Sequence, residues 1–280
     1  MSRVLLACGG TGGHLFPALA IAAELRSAHP DAEVLFVGTR IKIEARVVPE
    51  HGFAFRTIWI SGFHRSLRIG NLMFPVKVIV SMMQAFHILR SFRPVVVVGT
   101  GGYVSGPMLY AATLKGIPTL IQEQNSHPGA TTRFLAKRVN EVHITFEESR
   151  RRLPQRDKVF LSGNPTRSSL DGADAREALA YFGFPAEAAG KVLLVFGGSL
   201  GAATINRAVE RHLETFIRAG YRVIWQTGTA DAAAGYGAWV ASPREPPGSS
   251  TIAMSPASSV RTTNDPADRH PSKVAASGWP

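Results

Sequence analysis

The chain has 280 residues, 45% of them hydrophobic, and 31 Lys and Arg against 20 Asp and Glu give it a net charge of +11. That length suits one large domain or two smaller ones, and the charge points to an anionic partner: a nucleotide, a phospholipid surface or a nucleic acid. A single cysteine, Cys8, excludes internal disulfides and a cysteine-based zinc site, and no stretch approaches the ~20 apolar residues of a spanning helix.

Val4–Cys8 opens the chain as a short apolar strand with Cys8 as a small core residue. "VLLACGG" is too short, and too uncharged at its start, for a signal peptide, so the cytoplasm is the expected compartment. A glycine turn then leads into a helix over Pro17–Ser27. Strand Val34–Val37, helix Ile41–Glu50, strand Phe55–Ile60 and a long helix over Leu72–Ser91 follow. Val95–Val98, Thr119–Gln122, Glu141–Thr145 and Val159–Leu161 are strands, with helices over Ser105–Lys115 and Thr131–Arg138 between them. A domain break is expected at "LSGNPTR", residues 161–167. Beyond it come helix Ala173–Tyr181, strand Val192–Phe196, helix Ala203–Ala219 and strand Arg222–Gln226. Near-continuous apolar strands separated by helices imply a parallel sheet covered on both faces, the doubly wound α/β class.

Residues 229–280 have another character. They hold no Leu or Phe, one Ile, three Val and seven of the chain's 18 prolines. Such a segment buries too little apolar area to offset its chain entropy and is predicted disordered. Its four basic side chains balance its four acidic ones, so the whole positive excess lies in residues 1–228. The abruptness of the change fits a shifted reading frame.

Three glycine turns each follow a strand: Gly9-Gly10-Thr11-Gly12-Gly13-His14, Gly99-Thr100-Gly101-Gly102 and Gly197-Gly198-Ser199-Leu200-Gly201. Glycine permits positive φ and close approach to the backbone, and a helix start offers free N–H groups to an anion. Three such turns at the carboxyl ends of strands point to anion or nucleotide binding. Familiar nucleotide motifs fit badly. Leu15 stands where GxGxxG needs its last glycine, "VGTR" ends the second strand without an acid, and GK[ST] is missing.

His14 stands at a helix start, where the dipole favours a neutral imidazole suited to take a proton from a hydroxyl; loop hydrogen bonding is the alternative. Glu123, Gln124 and Asn125 in "IQEQNSHPG" put a polar cluster at the same sheet edge, fit to read hydroxyls and carbonyls. Arg167 is either a phosphate partner or a solvated charge. No DxD-like acidic pair stands beside the glycine turns, so neither a metal nor a cofactor is expected.

Together, "GGTGGHLFPALAIAAEL" (9–25), "GTGGYVSGP" (99–107), "QEQNSHPGATTRFLAKRV" (122–139), "GNPTR" (163–167), "VFGGSLGAATIN" (195–206) and "VIWQTG" (223–228) resemble the MurG family, over residues 3–228 in unbroken order. These are the undecaprenyl-diphospho-muramoylpentapeptide β-N-acetylglucosaminyltransferases of peptidoglycan synthesis. The resemblance implies a B-type glycosyltransferase fold of two Rossmann-like domains. Residues 1–163 would be the acceptor and membrane side, 164–228 an incomplete donor side, and 229–280 a tail foreign to the family. It implies inverting transfer of GlcNAc from UDP-GlcNAc to the muramoyl 4-hydroxyl of lipid I, giving lipid II. His14 matches the family's base. Thr11, Gly12 and Gly13 match the diphosphate region, Asn125, Arg167 and Ser199 the donor contacts, and Tyr103 and Glu123 positions near the acceptor.

The implied partners are UDP-GlcNAc, lipid I and an anionic membrane surface, with no nucleic acid, at the cytoplasmic face of the bacterial plasma membrane. Within residues 65–93, Leu72, Met73, Phe74, Val76 and Val80 mix with Arg65, Arg68, Lys77, Arg90 and Arg93, as in a peripheral helix on anionic lipid. After Gly228 the family pattern stops, and Val192–Phe196 and Arg222–Gln226 are expected to be left as poorly covered strands. A catalytically inactive lipid I-binding remnant and a different nucleotide-sugar transferase of the same fold are the alternative readings.

Overall fold

The structure is a computed structural model that describes residues 2–62, 73–167, 172–182, 184, 192–198 and 201–228, with the backbone alone of Ala238–Ala241, Thr251–Ser255 and Ser259–Arg261. The chain divides into two units, Met1–Gly172 and Ala173–Pro280.

In the first unit β1 (Arg3–Cys8) lies between β2 (Glu33–Gly38) and β4 (Val96–Gly101), parallel to both. Outward from these run β3 (Ala54–Thr57) on one side and β5 (Thr119–Glu123), β6 (Glu141–Ile144) and β7 (Val159–Leu161) on the other. The order is β3-β2-β1-β4-β5-β6-β7, every pair parallel. Strand order reverses between β1 and β4, and the crevice outside the strands' carboxyl ends at such a point is where open α/β sheets bind ligands.

Side chains of β1 alternate between two cores, which is why its sequence is apolar without a break. Val4, Leu6 and Cys8 join α1 (Gly12–Ala28) and α2 (Glu44–Glu50) through Leu15, Leu19, Val47 and Val48. Leu5 and Ala7 join α3 (Phe74–Phe92), α4 (Gly102–Leu114) and α5 (Ala130–Leu135) through Leu89, Met108, Leu109 and Leu135. Truncating one of these fully buried leucines to Ala would cost ~2–5 kcal/mol.

The helix expected from Pro17 begins five residues earlier, at Gly12. Its glycines hold helical geometry because the Thr11 carbonyl accepts from the N–H groups of both His14 and Leu15, at 3.2 Å each. The first unit also extends past the expected break at 163/164. The chain after β7 stays on it: Gln122 donates to the Gly163 carbonyl, and Arg167 lies over the Phe16 ring.

In the second unit Asp174 caps α6 (Ala175–Tyr181) by accepting from the Arg176 N–H at 2.8 Å. β8 (Val192–Phe196) and β9 (Arg222–Gln226) are parallel, joined by α7 (Ala203–Arg218). Val209 of α7 packs on Val223 and Trp225 of β9. Buried Asn206 ties helix to strand, accepting from the Trp225 indole at 3.1 Å and donating to the Thr227 carbonyl at 2.8 Å. β8 is an edge strand on which Leu194 and Phe196 are 57% and 65% exposed. Where composition predicts no regular structure, β10 (Ala238–Ala241), β11 (Thr251–Ser255) and β12 (Ser259–Arg261) continue the sheet antiparallel from β9. Pairing with β9 supplies the backbone hydrogen bonds that hold an extended segment of weak composition.

Candidate active site

The first two glycine turns meet at the reversal point. At Gly102, where φ is +77°, an added Cβ would lie 2.0 Å from the Gly9 carbonyl oxygen, so the two turns touch backbone to backbone. A Cβ on Gly10 would lie 3.2 Å from the Tyr103 ring, and one on Gly101 only 2.5 Å from Nδ1 of His14. The glycines thus permit contacts as well as turns. The register shift between Ala7 and Cys8, where β1 leaves its regular pairing with β4, re-aims the strand ends at this spot.

His14 sits in the first turn of α1, half-buried. The Thr100 hydroxyl donates to its carbonyl at 2.7 Å, and its Nδ1 lies 3.3 Å from Oε1 of Gln124. The N–H groups of Gly12 and Gly13 open α1, where a helix has no internal acceptors, and the Thr11 side chain does not cap them. They are available to an anion, favoured there by the helix dipole.

Glu123 is 3% exposed, and both of its carboxylate oxygens are engaged. Oε1 accepts from the backbone and side-chain N–H groups of Asn125, at 3.1 and 2.8 Å, and Oε2 from the Gly129 N–H at 3.1 Å. Its carboxylate therefore ties down the loop that presents Asn125, a role that polarity in the sequence did not distinguish from direct substrate contact. Ser149 holds the same loop by donating to the Asn125 carbonyl at 2.7 Å. The Arg167 guanidinium carbon lies 5.7 Å from the centroid of the Phe16 ring, which in turn packs on Gly12. That contact brings Arg167 beside the first glycine turn. His14, Thr11, Gly12, Gly13, Tyr103, Glu123, Asn125 and Arg167 all lie in the first unit; Ser199 lies outside the described residues. In the second unit the third turn repeats the close approach of the first two. A Cβ on Gly201 would lie 2.0 Å from the Thr227 carbonyl oxygen.

Motif reasoning missed Glu44, which is fully buried beneath the first turn. Its carboxylate accepts from the Thr39 hydroxyl at 2.7 Å, the Thr39 N–H at 3.1 Å and the Gly10 N–H at 3.4 Å. A lone Glu on the same helix face as Val47 and Val48 was the available signal. Its charge is felt nearby. Burial, and then the Glu44 carboxylate, raise the Tyr103 phenol above its ordinary value, partly offset by a hydrogen bond with Thr39. Tyr103 therefore remains a protonated donor at neutral pH. The same two causes in the same order push the Cys8 thiol far above the usual range. Folded protein is accordingly expected to be inert to a disulfide reagent at pH 8, with one thiol released on denaturation. Spectrophotometric thiol titration with and without denaturant checks this; stoichiometric labelling of native protein would contradict it.

Residues 4–144, just over half of the chain, match the family model described as the glycosyltransferase family 28 N-terminal domain. The chain belongs to glycosyltransferase family 28. Among curated relatives, this family 28 chain is 46% identical over 228 residues to one from Salinibacter ruber, covering 81% of this chain and 61% of that protein. It is 42% identical over 226 residues to one from Bacillus subtilis, with the same two coverages. Both relatives are named UDP-N-acetylglucosamine–N-acetylmuramyl-(pentapeptide) pyrophosphoryl-undecaprenol N-acetylglucosamine transferase, so the resemblance to the MurG family carried by the motifs is borne out. The chain spans about 61% of the length of these relatives.

Among solved structures, MurG of Acinetobacter baumannii matches with a TM-score of 0.58 at 26% identity, over 84% of this chain and 61% of that one. A UDP-GlcNAc 2-epimerase from Neisseria meningitidis, bound to UDP-GlcNAc, matches with a TM-score of 0.53 at 16% identity, over 80% of this chain and 66% of that one, a likeness of fold alone.

Proposed function

We propose that this chain carries the MurG-type reaction: inverting transfer of GlcNAc from UDP-GlcNAc to the muramoyl 4-hydroxyl of lipid I, forming lipid II. The observation that carries the proposal is the meeting of two glycine turns around His14 at the reversal point of the sheet, in a chain 46% identical to a relative named for that transfer. His14 takes the proton of the acceptor hydroxyl as its oxygen bonds to C1 of GlcNAc. The C1–O bond to UDP breaks on the opposite face, and UDP leaves with the electron pair. Backbone N–H groups at Gly12 and Gly13, with Thr11, stabilise the diphosphate charge that develops.

Asn125, Arg167 and Ser199 are assigned to the donor, and Tyr103 to the acceptor. Glu123, which the motif resemblance places near the acceptor, is assigned instead a supporting role at the donor, because its carboxylate holds the loop that presents Asn125. The first unit, residues 1–172, is assigned to the acceptor side and residues 173–228 to the donor side, with Arg167 contributing from the first unit and 229–280 outside the transferase pattern. Purified chain supplied with UDP-GlcNAc and a lipid I analogue is expected to yield lipid II. Absence of product, together with no heat on titration with UDP, would sink the proposal.

We also place the protein peripherally on the cytoplasmic face of an anionic membrane. Among the described residues no helix is long and apolar enough to cross a bilayer. On α3, Val76, Ile79, Met83 and Phe86 recur at helical spacing and are all exposed, Ile79 and Met83 by 61% and 66%. Ala85, Ile88, Leu89 and Phe92 bury the other face. Arg90 and Arg93 are exposed at the C-terminal end of α3, whereas Lys77 is half-buried and donates to the Ser61 hydroxyl at 3.0 Å; Arg65, Arg68 and Leu72 lie outside the described residues. Insertion of the stripe with Arg90 and Arg93 at the headgroups is the energetically sensible docking mode. The double substitution Ile79→Glu and Met83→Glu is expected to cut co-sedimentation with phosphatidylglycerol vesicles by about tenfold, and unchanged binding would remove α3 as the docking element.

A further inference from the structure

We infer that Gln124 fixes the tautomer of His14, holding its proton on Nδ1 and leaving the Nε2 lone pair as the atom that receives a proton. The catalytic meaning of this rests on the base assignment above; the tautomer itself does not.

An amide side chain has unlike ends, and the surroundings of one end decide what the other presents. Nε2 of Gln124 lies 2.9 Å from the Thr100 carbonyl, 3.1 Å from the Gln122 carbonyl and 2.6 Å from Oε1 of Gln122. Two of these are backbone carbonyls, which only accept, so the amino group of Gln124 belongs at this end. The third is oriented by its own neighbour. Nε2 of Gln122 lies 2.9 Å from the Gly163 carbonyl, which turns the Gln122 oxygen toward Gln124. The chain of donors and acceptors therefore starts at the Gly163 backbone and passes through two glutamines.

It ends at the imidazole. The atom 3.3 Å from His14 Nδ1 is the Gln124 oxygen, which only accepts, so Nδ1 must carry the hydrogen. A neutral imidazole carries one hydrogen, so Nε2 holds the lone pair. A free histidine side chain prefers the opposite tautomer, and the contact reverses that preference. The ring cannot readily turn away. Its Nδ1–Cε1 edge rests against the bare α-carbon of Gly101, and the His14 carbonyl is held by the Thr100 hydroxyl. Gln124 touches the imidazole rather than the reacting hydroxyl, which makes it a positioning residue. The buried Gln122, 2% exposed, is its support.

The test is a long-range proton–nitrogen correlation spectrum of the full chain labelled at histidine, at about pH 8.5, where an ordinary imidazole is neutral. The His14 signals are identified by their loss in His14→Gln. The wild-type chain is expected to show the Nδ1–H pattern for His14. An Nε2–H or averaged pattern overturns the inference without any variant having to fold. Gln124→Met keeps the length but not the acceptor, and is expected to move His14 toward Nε2–H and to lower kcat by about tenfold with KM little changed. A Met variant that retains Nδ1–H overturns the role of Gln124. Normal transfer by His14→Ala beside the expected wild-type spectrum would overturn the base assignment and leave the tautomer assignment standing.

Discussion

Replacing His14 with alanine is expected to lower GlcNAc transfer by about 10²-fold or more. The imidazole acts only as the acceptor hydroxyl loses its proton, so its loss falls on the transition state and lowers kcat and kcat/KM together. Some transfer should survive, because the N–H groups that open α1 still meet the departing diphosphate. UDP binding, which depends on those groups and not on the base, should be almost unchanged by calorimetry. Transfer of labelled GlcNAc to a lipid I analogue measures the first quantity. A variant as fast as wild type would return His14 to the bland role of a loop hydrogen-bonder.

Gly102→Ala is expected to destabilise the chain by about 3 kcal/mol or more, and Gly116→Ala by only about 1 kcal/mol. Both glycines lie in the left-handed region, at φ +77° and +67°. An alanine at either position pays the same conformational strain. The difference lies in what the new methyl meets. At Gly116 nothing lies within 4 Å, whereas at Gly102 the Gly9 carbonyl oxygen stands 2.0 Å away. Relief requires the two glycine turns to part, and both are anchored. The first is held by the Glu44 carboxylate under Gly10, and the second by the Ser105 hydroxyl, 2.8 Å from the carbonyls of Ala7 and Gly101. Chemical denaturation of both variants gives the comparison. Equal losses would mean that the turns do not touch, and the site built on their contact would go with them. Because the turns frame His14, the Gly102 variant should also lose transfer, whereas the Gly116 variant should keep it.

Much of this was legible in the residues. Val159–Leu161, Val192–Phe196 and Arg222–Gln226 are strands with the expected bounds, since a short β-branched run closed by Gly or a polar residue leaves little freedom. The helix start at Gly12 was not legible, because glycine's low propensity argues against it and only the Thr11 carbonyl, already fixed by the end of β1, overrides that. The short strands beyond Gly228 were hidden for a related reason. Their composition is poor, and pairing with an existing edge supplies what local preference lacks. At the site, the motif reading singled out His14 and Glu123 by residue type and position. It could not distinguish a carboxylate that meets substrate from one whose two oxygens are spent on Asn125 and Gly129.

The order of apolar runs and glycine turns along the chain was enough to establish a doubly wound sheet and the place of each turn at a strand's carboxyl end, whereas the glycosyltransferase family came from the resemblance of whole motifs. The sheet and the turns follow from local rules: side-chain period, backbone freedom and the free N–H groups of helix starts. The partners of those turns were decided only on folding. The contact of Gly102 with Gly9, the carboxylate of Glu44 under Gly10, and the amide chain from Gly163 through Gln122 and Gln124 to His14 join residues 34 to 110 positions apart, except for the local step between the two glutamines. Such pairings depend on strand order and register, and no local pattern encodes the distance between two atoms that the sheet alone brings together.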